Sequence, residues 1–267
     1  MKMASAIDKL RVKRLFDIAE LMVSFQIFND INEMVNRYRE NIKAFSLNKP
    51  KRSEKPVLVS IVVPTRNEAN KIPILLKSLG RSHHKNLEIL VADYMSSDGT
   101  PQIARSLGAR VIEVDKPGVG YASFLAVNKA KGDIIIRTDA DAIFPPQIID
   151  YTIKQFEKFN SVHLLHLGHI YIDSGFIDNL IAFLYDKYWR EIWKTTGHFI
   201  AFRRDLRDTV NFNPNLKFGE DFDFGKRVYE KFGAQAIHYN YRTAILISAR
   251  RIRFSGRMRY LLGYVMR

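Results

Sequence analysis

Between residues 57 and 137, four short aliphatic and β-branched runs alternate with segments of helical character. The runs are Val57–Val63, Leu87–Asp93, Ala109–Val114 and Asp133–Arg137. Each has strand length, and the segments between them have helix length. The first of these covers about residues 70–79. The second covers Thr100–Leu107, with Asp98 as its expected N-cap, Pro101 in its first turn and Gly108 closing it. The third is preceded by Gly118 and Gly120 and runs through Ala130, with Gly132 ending it. Strand and helix in regular alternation predict an α/β fold: a mostly parallel, buried central sheet with right-handed crossovers, flanked by helices.

In such a sheet the loops after the first, second and fourth strands share one rim, where ligands bind. That rim gathers Thr65, Glu68, Asp93, Asp139 and Asp141. Thr138-Asp139-Ala140-Asp141 ends the fourth strand directly, and Pro145-Pro146 stops the ladder beyond it. In extended chain, residues i and i+2 point the same way, so both acids can face one side. Two like charges that close are costly unless a cation or ribose hydroxyls take up the charge. Alone, the four residues also fit a solvated turn capping the next helix; the convergence of three loops argues for a ligand. Gly118 and Gly120 permit close backbone approach, either to a ligand or to a neighbouring strand.

The net charge of +14 over 267 residues calls for acidic partners: nucleotide phosphates, lipid phosphates or nucleic acid. Seven arginines and no acid lie from Arg242 onward. The absence of cysteine excludes disulfides and thiolate metal sites. No apolar run nears the ~20 residues that span a bilayer, and no signal-peptide core opens the chain. The expected address is the cytoplasm, with peripheral membrane contact through the basic termini as an extension. Length allows one large α/β domain with an appendage: a helical extension and linker over 1–50, the main domain over 51–254 and a basic tail over 255–267. Leu15, Ile18, Met22 and Phe25, then Ile27, Ile31, Met34 and Tyr38, recur at helical spacing in the extension. Its roles open from sequence are packing on the main domain, pairing with another copy, or lying on a membrane.

In the second half, a helix near Gln147–Phe159 precedes a strand over Val162–Ile172 carrying His163, His166 and His169. Positions i and i+3 of a strand face opposite sides, so these histidines have structural roles rather than a shared metal. Phe176–Trp193 reads as an aromatic-rich helix with Ile177, Leu180, Ile181, Leu184 and Tyr188 on its core face, and with Trp189 and Trp193 reaching beyond it. Strands follow at Thr195–Phe202, Ala236–Tyr241 and Thr243–Ser248. Between them Phe218-Gly219-Glu220-Asp221-Phe222-Asp223 opens a helix that runs to Lys231 and ends at Gly233. Acids in a first turn favour the helix dipole; Asp221 also fits a general base. Arginines at 250 and 251 suit phosphate recognition and equally suit a solvated basic face.

Five stretches taken together resemble the family 2 glycosyltransferases, which have the GT-A fold. They are Ser60–Glu68 (SIVVPTRNE), Asp93 with Ser96–Thr100 (SSDGT), Thr138–Asp141 (TDAD), Gly197–Arg204 (GHFIAFRR) and Gly219–Asp221 (GED), in that order across residues 57–251. The resemblance implies transfer of a sugar, with inversion, from a nucleotide diphosphate sugar to a hydroxyl acceptor, aided by Mn²⁺ or Mg²⁺. It assigns Pro64, Thr65, Glu68, Asp93, Gly120, Asp139 and Arg250 to the donor nucleotide, with Asp139 on the ribose. Asp141 would hold the metal and Asp221 would act as base, with Gly197, His198 and Glu220 on the acceptor side. A divalent ion on carboxylate oxygen suits a departing diphosphate.

Two departures from the family pattern matter. Tyr94 stands where many members carry a second acid that reads the nucleobase, which leaves uridine and guanosine both open. The Gln-x-x-Arg-Trp motif of processive polymerising members is missing, and so are their membrane helices, so single-sugar transfer is expected. The acceptor stays open between lipid-linked, protein and small-molecule hydroxyls, and the extension gives a route to oligomers. The enzyme alternative is a sugar-phosphate nucleotidyltransferase, whose Gly-rich loop is replaced here by Pro64–Glu68. The other alternative, a bare scaffold binding nucleic acid or membrane, gains nothing from clustered carboxylates.

Overall fold

A computed structural model describes residues 25–46 and 57–250. The expectations for residues 1–24, the linker at 47–56 and the tail from 251 onward lie outside the described residues. The chain divides into two compact units, Met1–Glu40 and Asn41–Arg267. The described part of the extension is one helix, α1 (Phe25–Ser46).

The larger unit is built on a seven-stranded sheet of order β3-β2-β1-β4-β6-β5-β7. The strands are β1 (Val59–Thr65), β2 (Leu87–Asp93), β3 (Arg110–Glu113), β4 (Ile134–Arg137), β5 (Leu164–Tyr171), β6 (Ile200–Arg203) and β7 (Ile237–Ile247). β6 runs antiparallel to both β4 and β5, and the remaining pairs are parallel. The helices are α2 (Ile72–Gly80), α3 (Thr100–Ser106), α4 (Val119–Lys129), α5 (Ile148–Lys158), α6 (Phe176–Leu184), α7 (Asp205–Thr209) and α8 (Glu220–Phe232). This is the mostly parallel, helix-flanked sheet that the alternation requires.

Side chains alternate across the sheet, and each face has its own core. Ile61, Val63 and Ile136 pack under α2 and α5, with Leu75, Ile149 and Phe156 among their neighbours. Val62, Leu90 and Ile135 pack on the other face with Ala126 of α4 and Phe224 of α8. Phe224 stacks on Phe212 with ring centroids 4.5 Å apart and lies 5.0 Å from Phe202, which pins α8 to β6. The chain entering β4 passes close to β1 at Gly132, where an added Cβ would lie 2.5 Å from the Ser60 nitrogen and 2.7 Å from the Ile134 oxygen. Gly132→Ala is therefore expected to destabilise the fold by about 1–3 kcal/mol. In urea titration this appears as a lower midpoint at unchanged slope; an unchanged midpoint would contradict the close approach.

Several local expectations need correcting. Asp98 is not the N-cap of α3; that position is Gly99, in the left-handed region at φ +87°. Asp98 instead accepts from the Thr100 amide at 3.0 Å and from the Thr100 hydroxyl at 2.5 Å, one residue earlier than a cap. Gly120 lies inside α4 and not before it. The two expected C-terminal strands are one strand, β7, whose register against β5 shifts between Leu167 and Gly168. Asn240 fills the irregularity by accepting from the amides of Arg242 and Thr243.

The largest correction concerns the Phe176–Trp193 helix. The α-helix stops at Leu184, a π turn covers Tyr185–Trp189, and the face turned inward is not the expected one. Ile177 is 62% exposed and Tyr188 48%, while Asp178, Asn179, Phe183 and Asp186 are buried. Asn179 exchanges hydrogen bonds with the backbone of Tyr171, and Asp186 pairs with Arg190 at 2.7 Å. Paired polar groups carry that buried face. Trp193 packs against the second core; the expectation for the Trp189 side chain falls outside what the structure describes.

The three histidines of β5 have separate partners, in keeping with structural roles. His163 meets Asp205 at 3.0 Å, His166 meets the Ile192 carbonyl at 2.8 Å, and His169 lies 3.7 Å from Asp186. Burial holds the His166 imidazole down at about 3, with the Arg190 charge adding to it, so the ring is neutral.

Candidate active site

The loops after β1 and β2 are tied together at the carboxyl rim of the sheet. Asn67, at φ +54°, receives the Ser97 amide on its side chain and gives its own amide to Ser96. The Glu68 amide donates to Thr100 and the Ala69 amide to Asp98. These bonds fix the backbone from which Glu68 projects. Beneath them Asp93 accepts from Thr65 at 2.9 Å and from the hydroxyl and amide of Ser96.

β4 delivers Asp139 and Asp141 to the same rim. Its tip is held to the segment before β6 by Thr138, whose hydroxyl donates to the His198 carbonyl at 2.7 Å. α8 arrives beside both. Its N-cap, Gly219, is left-handed at φ +75°, a conformation natural to glycine. At Gly225 an added Cβ would meet the Thr195 hydroxyl at 2.7 Å, so the helix lies directly against residues 193–195. The Asp221 carboxylate then accepts from the Gly197 amide at 2.8 Å and from the Phe222 amide at 3.0 Å, and the Thr195 hydroxyl donates to the Asp221 carbonyl.

The result is one cavity of about 440 Å³ onto which Pro64, Glu68, Asp139, Asp141, Glu220 and Asp221 all open, with Gly197 and Arg250 also on its wall. Asp141 and Asp221 thus face a common space although 80 residues of sequence, 141 to 221, separate them. The four other expected residues stand outside it. Thr65 and Asp93 are bonded to each other one layer below. Gly120 packs under residues 213–216, where an added Cβ would lie 2.6 Å from the Leu216 oxygen, so the close approach it permits is to a loop of this chain. His198 is a correction to the acceptor-side expectation. Its side chain is buried, bonded to Thr196 at 2.8 Å and packed 4.6 Å from the His169 ring, and burial holds it well below its usual range.

Sequence reasoning missed two contributors. Phe218, 80% exposed, stands on the cavity wall next to Lys217. Arg137, which reads in sequence as the last residue of an apolar strand, is fully buried at the cavity floor. Its guanidinium pairs with Asp139 and with Glu220, each at 2.6 Å, and donates to the Gly197 carbonyl.

The charges of this cluster follow from burial. Asp139, Glu220 and Asp221 keep Arg137 protonated against the cost of desolvation. Burial pushes Glu220 up to about 7; Arg137 opposes this, and Asp221 and Asp139 add to it. Asp221 is raised by the same burial, with Arg137 again opposing and Asp139 adding. Three carboxyl groups share one guanidinium, and burial disfavours their all being ionised at once.

On the far side Arg250 acts as a cation toward the remaining acids. It grips Glu68 through both terminal nitrogens, the shortest contact being 2.9 Å, and lies 3.5 Å from Asp141. A cation therefore already sits against the carboxylate expected to hold the metal, and the oxygen donors there suit Mg²⁺ or Mn²⁺. Among the described residues no group of three or more His, Cys, Asp or Glu could enclose an ion. A divalent ion at Asp141 would take its other ligands from phosphate oxygens and water, the usual arrangement for such ions at nucleotides. No helix among the described residues is long and apolar enough to cross a membrane.

Residues 60–213, more than half of the chain, match the family "Glycosyl transferase family 2", and the chain belongs to that family. The 4,4'-diaponeurosporenoate glycosyltransferase of Staphylococcus haemolyticus is 28% identical over 173 residues, 59% of this chain and 45% of that protein. The dolichol-phosphate mannosyltransferase of Pyrococcus furiosus is 23% identical over 58% of this chain and 49% of its own length. The chain thus spans about half the length of these curated relatives. Among solved structures, glucosyl-3-phosphoglycerate synthase of Mycobacterium tuberculosis, in complex with Mn²⁺, UDP-glucose and phosphoglyceric acid, superposes with a TM-score of 0.60 at 21% identity, covering 82% of this chain and 86% of that one. A mannosyltransferase of Pyrobaculum calidifontis, in complex with GDP-mannose and Mn²⁺, gives 0.58 at 20% identity over 89% and 76%. The fold is GT-A-like.

Proposed function

We propose that this chain is a hexosyltransferase that moves one sugar from a nucleotide diphosphate sugar to a hydroxyl acceptor, with inversion at the anomeric carbon. The observation that carries this reading is the shared cavity of Asp141 and Asp221. In the proposed reaction Asp221 accepts the acceptor's proton as the new carbon–oxygen bond forms and the bond from carbon to the diphosphate oxygen breaks. The electron pair of that bond stays on the diphosphate. A divalent cation held through Asp141, when bound, supplies Lewis-acid stabilisation of that leaving group. Glu68 and Asp139 bind the nucleoside portion in this reading. Arg250 moves from the acids to the phosphates, for which a guanidinium fork is suited.

The UDP-glucose and GDP-mannose of the structural neighbours support both donors as probes. Each is added to the protein with and without Mn²⁺, and melting is followed. The expected result is a rise with Mn²⁺ and one nucleotide sugar together, and little change with Mn²⁺ alone, because the protein offers the ion few ligands of its own. The expected product is free nucleoside diphosphate. Pyrophosphate would instead indicate nucleotidyl transfer, and the absence of any nucleotide effect would contradict the proposal.

The pH dependence follows from the upward shift of Asp221. A base works only when deprotonated, so raising its pKa removes activity earlier as pH falls. With a saturating donor, kcat is expected to be level at high pH and to drop about tenfold per pH unit below a limb above the ordinary carboxylate range. A limb at or below about 4, the range of an unperturbed Asp, would contradict this charge assignment.

A further inference from the structure

We infer that Arg137 is the positioning residue of this site, holding the helix that carries Asp221 against the strand tip that carries Asp139, with Glu220 as its anchor. The inference rests on the proposed role of Asp221 as base.

The geometry is specific. Arg137 ends β4, is 2% exposed and is among the largest fully buried side chains of the protein. One terminal nitrogen donates to Asp139 at 2.6 Å and also to the Gly197 carbonyl; the other donates to Glu220 at 2.6 Å. Gly197 in turn gives its amide to the Asp221 carboxylate at 2.8 Å. A single guanidinium thereby ties the tip of its own strand to segments 60 and 83 residues further along the chain, the second of which carries the base. Glu220 and Asp221 are adjacent in the first turn of α8, so anchoring the first sets the second.

Two further facts favour positioning over plain stabilisation. A buried ion pair gives little net stability compared with apolar residues of the same volume. The Arg137 Nε is buried with no hydrogen-bond partner, a cost that a group chosen for stability would avoid. Space around the fork is also reserved: an added Cβ at Gly197 would overlap Arg137 and lie 3.2 Å from Asp139 Oδ1. Glu220 is 3% exposed and bonded to the guanidinium, which makes it the anchor on the helix. Lysine could not replace arginine, since a point charge cannot span three acceptors lying in one fork.

The test uses the full chain with Mn²⁺ and whichever of UDP-glucose or GDP-mannose raises its melting temperature, with glycerol as acceptor and nucleoside diphosphate release as readout. Arg137→Lys, Arg137→Ala and Asp221→Asn are compared for kcat, donor Kd and melting temperature. Arg137→Lys is expected to lower kcat by about 100-fold, the effect of misplacing a reacting group by about 1 Å, and to weaken donor Kd by a much smaller factor through its bond to Asp139. Arg137→Ala is expected to lose at least as much kcat and to regain part of it when millimolar guanidinium is added, because the residue borders the cavity. If the alanine variant fails to fold, the lysine variant decides. Three outcomes overturn the inference: kcat within twofold of wild type in Arg137→Lys, donor affinity falling in step with kcat, or a folded Arg137→Ala that guanidinium does not restore. Asp221→Asn separates the two ideas. Full activity there removes the base assignment, whereas a dead Asp221→Asn beside an active Arg137→Lys removes only the role of Arg137.

Discussion

Replacing Asp221 by asparagine is expected to lower kcat by roughly three orders of magnitude, within the usual contribution of a general base, while donor affinity stays within about threefold. Asparagine keeps the size of the side chain, and its amide oxygen can still accept from one of the Gly197 and Phe222 amides, which now bond separate oxygens of Asp221, while the Arg137 pairing of Glu220 holds the same helix turn. The helix N-terminus should therefore remain in place, and what disappears is the proton acceptor. An ordinary aspartate is a weak base. Burial raises this one, and that brings it closer to the hydroxyl it must deprotonate as the new bond forms. Steady-state kinetics with a titrated donor would read both quantities. Loss of donor affinity would mean that Asp221 binds the donor and that the base lies elsewhere.

Asp141→Ala is expected to abolish Mn²⁺-dependent turnover, with a loss of at least about a thousandfold, since Lewis-acid stabilisation of a leaving group amounts to several kcal/mol. The side chain lies on the cavity wall 3.5 Å from Arg250, and its removal leaves the strand tip intact because Thr138 and Arg137 hold that tip independently. The melting temperature without ligand should be nearly unchanged, while the rise produced by Mn²⁺ with a nucleotide sugar should vanish. Turnover near the wild-type rate would refute the metal assignment.

The acids of this site can be read in sequence because each marks the end of a regular element. Asp139 and Asp141 follow an apolar strand, Glu68 follows another, and Asp221 opens a helix after a left-handed glycine. Topology alone brings such ends together at one rim. Arg137 could not be read in this way. A single basic residue closing an apolar run looks like the edge of a strand, and its partners lie 60 and 83 residues further on. The one sequence signal is a charge inside a segment that the sheet must bury. His198 misled in the opposite direction: a polar residue beside the cavity turns inward, bonded to Thr196 and kept neutral.

The error at α6 has a general cause. Apolar periodicity finds the buried face of a helix only when that face is apolar. Here Asn179 caps the backbone of β5 and Asp186 pairs with Arg190, so polar residues go inward and Ile177 is left outside. The irregularity in β7 was visible as a break near Arg242, but not that one strand continues through it, because the continuation depends on pairing with β5.

The proposed reaction requires a nucleotide diphosphate and a divalent ion to meet in the carboxylate-lined cavity. A crystal of the protein soaked with Mn²⁺ and UDP or GDP, measured at the manganese absorption edge, tests this most directly. The expected anomalous peak lies about 2–2.5 Å from a carboxylate oxygen of Asp141 and touches the diphosphate. A nucleotide bound outside the cavity, or bound within it with the manganese on other residues, would contradict the account.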